Sequence, residues 1–199
     1  MKFKHIYFFF FLINAIFLSA QEQIDYKADK IKFVKTYKGG AKRLIGNVQF
    51  TTKDGMYMTC DSSYFLDNNN IEAYSNIFIR QGDSLTITGK NAKYDVNTKL
   101  GVIDGNVVCN EKDMTLTTDV LNFDSKNKIA SYQTGGNIVS KENTLTSKHG
   151  YYFSDAKTVS FRYDVKLVNP DYTMMADTLI YVTSTKTAVF VGPTNIISK

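Results

Sequence analysis

The residues able to do chemistry are few in this sequence, and they are scattered. Beyond residue 20 the one histidine is His149, and the two cysteines are Cys60 and Cys109. One imidazole cannot supply the ligand set of a typical zinc centre, and a hydroxyl or thiol nucleophile has little choice of base. Carboxylates recur at Asp61, Asp119 and Asp177, in one column with Lys90 and Lys148. Hydrolysis of a glycosidic bond needs two carboxyl groups within about 10 Å of one another, whereas this column spreads them along an array. Alternating charge of that kind reads as a solvated face with weak, screened pairs. No glycine loop with phosphate-binding spacing is present. Lys35, Lys38, Lys42 and Arg43 form the one cationic cluster; it suits lipid phosphates or an anionic membrane surface, or is simply a solvated loop. The expectation is a protein without catalysis, metal or cofactor.

The organisation lies in a repeat. Met56 to Tyr74, shifted by 29 residues, falls on Leu85 to Ile103, Met114 to Tyr132, Asn143 to Phe161 and Tyr172 to Phe190. Three columns persist: Met58, Ile87, Leu116, Leu145 and Met174; Phe65, Tyr94, Phe123, Tyr152 and Tyr181; and Tyr74, Ile103, Tyr132, Phe161 and Phe190. A fixed period in this range marks a repeat architecture. These fifteen residues are the expected apolar lining of the fold. Such ladders are ordinarily just core, each large side chain contributing about 1.5–3 kcal/mol on burial; as a ligand surface they need one open side.

Within a copy the pattern is β. Leu85-Thr86-Ile87-Thr88 alternates, then Ala92 and Tyr94 carry the apolar face on the opposite parity, so the strand bends near residues 89–91. The column there is small in every copy (Cys60, Gly89, Thr118, Ser147, Ala176), as a bulge or corner favours. Polar turns follow at Asp67–Asn70, Asp95–Lys99 and Asp124–Lys128. Gly46-Asn47, Ser75-Asn76, Gly105-Asn106 and Gly136-Asn137 mark a second corner on the way back. Each copy is thus an out-and-back hairpin bent once in each leg, and a stack of them makes a V of two sheets with about a dozen rungs. A parallel β-helix with one rung per copy is the competing architecture; short reversals rich in Asn, Asp and Gly favour hairpins.

Residues 1–20 carry Lys2 and Lys4, an apolar block from Ile6 to Leu18 and Ser19-Ala20, which reads as a cleavable signal peptide, the alternative being a retained anchor. The expected domains are therefore this peptide and one β domain over 21–199. The mature charge of about +3 demands no nucleic acid. In an exported chain disulfides are permitted, but Cys60 and Cys109 occupy different columns, so two free buried thiols are expected. The first copy is degenerate, with Lys35 to Arg43 read as a long loop, and the sequence stops within a returning leg. That leaves an uncapped strand edge, either a truncation or a docking surface.

Gly46-Asn47-Val48-Gln49-Phe50, the Leu-Thr-Ile-Thr type strands at Leu85 to Thr88 and Met114 to Thr117, Ala176 to Tyr181, and Gly105 to Val107 resemble the OstA/LptA family of periplasmic lipopolysaccharide-transport proteins. The resemblance spans roughly Ile24 to Lys199. It implies a semi-open β-jellyroll, or β-taco, whose groove holds acyl chains in a bridge toward the outer membrane. The partners it implies are lipopolysaccharide and, through strand edges, further copies or LptC-like and LptD-like components, with peripheral membrane association at most. A structural β-solenoid, serving as scaffold or surface spacer, is the alternative; it would have a closed interior where a carrier keeps an open groove.

Overall fold

The fold is built of β-branched and aromatic residues on alternating faces, punctuated by short polar turns. The computed structural model describes residues 24–53 and 55–198, so the expected signal peptide lies outside the described residues. All described regular structure is β: β1 (Asp25–Lys27), β2 (Lys30–Val34), β3 (Ala41–Thr51), β4 (Tyr57–Leu66), β5 (Ile71–Gln81), β6 (Leu85–Asp95), β7 (Leu100–Glu111), β8 (Met114–Asp124), β9 (Ile129–Tyr132), β10 (Gly136–Val139), β11 (Thr144–Ser147), β12 (His149–Phe153), β13 (Thr158–Val168), β14 (Tyr172–Val182) and β15 (Thr187–Ser198). They form one 15-stranded sheet, antiparallel throughout. Most strands pair with their sequence neighbours. Three layers are split in two: β1 with β2, β9 with β10, and β11 with β12 each share one rung. The result is a stack of twelve layers, the dozen expected, and an all-β jellyroll of the taco kind.

The crease is made where the hydrogen-bond register slips. Gly46-Asn47 of β3 faces the single residue Asp61, Ser75-Asn76 of β5 faces Asp61 and Lys90, and Gly105-Asn106 of β7 faces Lys90 and Asp119. The returning legs thus carry two residues against one on the outgoing legs. Both residues of each pair have positive φ, 76° and 45° at Gly46-Asn47 and 63° and 53° at Tyr163-Asp164. Left-handed backbone disfavours most side chains, and the clasps that face it offset the cost. Asn47 Nδ2 donates to Asp29 at 2.9 Å and Asn76 Nδ2 to Asp61 at 2.8 Å, while Lys148 pairs with Asp164 at 2.6 Å. The charged column read as a solvated face therefore also lies along the crease.

One corner departs from expectation. Gly136 and Asn137 are not a corner; they pair with Thr118 and Thr117 inside β10. The bend in that layer falls on Gln133–Gly135, with Gly135 at φ 84°. Side chains replace the ladder there: Thr118 Oγ1 donates to the Gly135 carbonyl at 2.7 Å, and the Val120 amide donates to Thr134 Oγ1 at 3.2 Å. The Lys-rich loop is also shorter than expected, since β3 begins at Ala41.

Candidate functional site

Three inward ladders run along the stack. One consists of Phe50, Met58, Ile79, Ile87, Cys109, Leu116, Ile138, Leu145, Leu167, Met174 and Ile196, each opposite the next. On the other arm of the V the sequence is Phe65, Ile71, Tyr94, Gly101, Phe123, Ala130, Tyr152, Val159, Tyr181 and Ala188. The third, deeper on that arm, joins Ala73, Ala92, Ile103 and Leu121, then Tyr132, Gly150, Phe161, Leu179 and Phe190. Fourteen of the fifteen expected lining residues thus face inward.

Tyr74 is the exception. It pairs with Ser62 and Asn91 on the outer surface, and Ala73 occupies the inner position. The cause is turn length. Phe65 lies opposite Ile71, six residues on, whereas Tyr94 and Gly101 are seven apart. A turn one residue shorter moves every following side chain to the other face. The next turn, which brings Ile87 opposite Ile79 where Leu116 lies opposite Cys109, is one residue longer and restores the period.

Outside, Tyr74 joins a latch that ties residues 35–40 to the sheet. The Tyr37 ring stacks on Tyr64 at 3.9 Å. Glu72 accepts from the Tyr37 hydroxyl at 2.6 Å and the Tyr74 hydroxyl at 3.1 Å, and forms an ion pair with Lys38. Burial pushes the Glu72 carboxyl up, but the donors from Lys38, Tyr37 and Tyr74 outweigh it and hold it below the usual carboxylate range. The expected cationic cluster is therefore divided. Lys38 serves the latch, Arg43 lies over the outer Tyr64 ring at 4.3 Å, and Lys42, on the inner side, donates to Tyr26 at 2.8 Å. Lys35 is exposed in the turn beside them.

The interior is closed. Ile103, Phe161 and Tyr181 are 0–1% exposed, and rings lie across glycines on neighbouring strands, Phe123 on Gly101 and Tyr132 on Gly136 and Gly150. The Tyr132 hydroxyl reaches Ser147 at 2.6 Å. A cavity of about 50 Å³ lies among the described residues, lined by Leu116, Leu121, Tyr132, Tyr152, Val159 and Phe161 among others. That is well short of the roughly 300–1,000 Å³ of a pocket for a small molecule. Cys60 and Cys109 are free and buried, and burial pushes their thiols up to about 11 and about 12. Three strand spacings, roughly 14 Å, separate β4 from β7, which rules out a bridge.

Among the inward residues that the three columns did not name, Gln81 and Glu111 are polar. Gln81 and Glu111 lie in a row with Leu85 and Met114, one step nearer the mouth of the V than the Ile87 ladder. Parity alone places them inside, since Glu111 follows Val107 and Cys109 at spacings of two. Glu111 is only 7% exposed, and burial raises its carboxyl pKa. The two ends of the stack differ from its middle. Ile31 and Phe33 of β2 are 53% and 64% exposed, and Ile196 of β15 is 50% exposed. Among the described residues no cluster of three potential metal ligands occurs, and no helix is long and apolar enough to cross a membrane.

A family model described as OstA-like protein matches residues 22–177. No curated protein matches the chain. Among solved structures, LptH from Pseudomonas aeruginosa, described as the LptA homologous periplasmic component of the conserved lipopolysaccharide transport device, superposes with a TM-score of 0.52 at 13% identity. The match covers 58% of this chain and 94% of that one, and at this identity it speaks for the fold. With the family model spanning most of its length, the chain belongs to the OstA-like family.

Proposed function

We propose that this protein is a non-enzymatic component of lipopolysaccharide transport in the periplasm, carrying the glycolipid's acyl chains between the arms of its V toward the outer membrane. The observation that carries this reading is the continuity of the apolar ladders. One runs unbroken from Tyr26 and Phe50 to Ile196, whereas on the other arm the ladders reach Ile31 and Phe33 through Ser63 and Lys42; Ile31, Phe33 and Ile196 are uncovered at the ends. Along the unbroken ladder a cargo chain could leave one stack for the next on apolar side chains. Strand edges supply the joints: β15 is twelve residues long and carries no charged side chain, the kind of edge to which another strand adds. LptC-like and LptD-like components, or further copies, are the partners this assembly calls for.

The packed interior favours a second reading, a structural scaffold in which the ladders are only core. The two separate on photo-crosslinking to lipopolysaccharide, with the crosslinker placed singly at Ile87, Leu116, Tyr94 and Phe123, and at the outward Thr86 and Thr115 as controls. Adducts at the first four and none at the controls are expected of the carrier. A folded protein without inward adducts would leave the scaffold.

A further inference from the structure

The positive charge of this chain is gathered at one end of the stack. Residues 24–43, which make β1, β2 and the start of β3, hold seven basic side chains against two acidic ones, whereas residues 44–199 hold fifteen against sixteen. The fold puts this cluster on the end rung. β1 and β2 lie end to end along β3, and no described strand covers their far edge. Lys27, Lys30, Lys32 and Lys35 are all exposed there. Alternation puts the lysines of β2 on its outer face and Ile31 and Phe33 on its inner one, and at the last rung both faces border the open end. Ile31 is 53% exposed, and Phe33, at 64%, is the most exposed large apolar residue among those described. The opposite end is unlike it: β15 also exposes apolar side chains, Val189, Val191 and Ile196, but carries no charge.

We infer that this end docks on an anionic lipid bilayer, with Ile31 and Phe33 set among the headgroups and Lys27, Lys30, Lys32 and Lys35 against the phosphates. Two features choose a membrane over another strand. Lysines along an edge strand discourage pairing with a second edge, so the end that carries them is the poorer joint and β15 the better one. Cationic side chains flanking exposed apolar ones are also what an interfacial segment needs: the charges draw it to the surface and the apolar groups hold it there. The edge amides of β2 stay in the headgroup layer, where phosphate oxygens and water accept from them; in hydrocarbon they would be stranded. The other cations of the cluster brace the rung instead, Lys38 with Glu72, Lys42 with Tyr26 and Arg43 over Tyr64. The inference goes beyond the acyl-carrier reading and does not rest on it, since a scaffold with this end would dock in the same way.

The test is sedimentation of the exported protein with vesicles of phosphatidylcholine alone, or with a quarter of the lipid replaced by phosphatidylglycerol; neither contains lipopolysaccharide. Binding is expected to the anionic vesicles, weakening as salt rises, and to be slight on the neutral ones. Lys30→Gln and Lys32→Gln together should weaken it about thirtyfold, the effect usual for two lysines near a charged bilayer, and Phe33→Ser about tenfold. Lys166→Gln and Lys186→Gln together remove the same charge from the far end of the stack and should change nothing. Every replaced side chain is exposed, so the variants are expected to fold. Equal binding to both kinds of vesicle, no binding, or binding that the β2 variants leave unchanged overturns the inference. So does a dimer that Phe33→Ser dissolves while vesicles go unbound, which would give this end to a second copy. The carrier reading survives each of these results, because it is decided by the crosslinks inside the V.

Discussion

Whether the V is closed in solution without cargo is decided by replacing Ile103 and Ile196 with alanine. Both point inward, but Ile103 is 0% exposed in mid-stack and Ile196 is 50% exposed on the last strand. With the arms together, Ile103→Ala removes a fully buried side chain and leaves a hole between sheets that cannot both collapse onto it. Such changes cost about 2–5 kcal/mol. Ile196→Ala removes a side chain that is already half in water and leaves no cavity, so its cost should be below about 1 kcal/mol. Urea unfolding followed by far-ultraviolet circular dichroism measures both, and an unchanged slope shows that the denatured state is not the cause. Were the arms parted in solution, Ile103 would face solvent much as Ile196 does. A cost for Ile103→Ala within about 1 kcal/mol of that for Ile196→Ala would refute the closed interior.

Glu72→Gln should loosen residues 35–40, raising their amide exchange and proteolysis while the layers beyond β5 stay protected. The sign of the pH effect follows from the same carboxylate: its folded pKa is depressed, so its stabilisation is present above the ordinary carboxylate range and is lost as pH falls through the folded value. The variant should therefore lose less stability than the parent between pH 6 and pH 3, and equal slopes would exclude the latch as its origin. Cys60 and Cys109 should resist thiol reagents at neutral pH until the protein is unfolded, because their raised pKa values leave little thiolate; fast labelling of the native protein would show that these layers open.

The sequence carried the hairpin repeat, the crease and the inward columns because each leaves a periodic trace. Side-chain parity recorded which face was buried, and Gly46-Asn47 and Gly105-Asn106 recorded the left-handed corners. Tyr74 was misplaced because period arithmetic assumes equal turns, although Asp67–Asn70 reads as four residues where Asp95–Lys99 and Asp124–Lys128 have five. Glu72 was invisible for a related reason: an acidic residue on an outer face becomes buried only when Tyr37 and Lys38, more than thirty residues earlier, fold back over it. Gln81 and Glu111 were legible by parity and were passed over because polar residues beside a turn read as turn. The closing of the arms leaves no periodic mark, since the same ladders line an open V and a shut one.

Because nearly every strand bonds to its sequence neighbour, most contacts in this sheet close loops of only a few tens of residues. All-β proteins usually fold slowly because their pairings are distant along the chain; here the entropy of closure is met in small increments. Folding can begin in any hairpin and grow outward one rung at a time, as in other stacked repeats. The rungs made of β9 with β10 and β11 with β12 are where such growth must cross an interrupted ladder. The flanking blocks, β3 to β8 and β13 to β15, should therefore gain protection as separate units before they join.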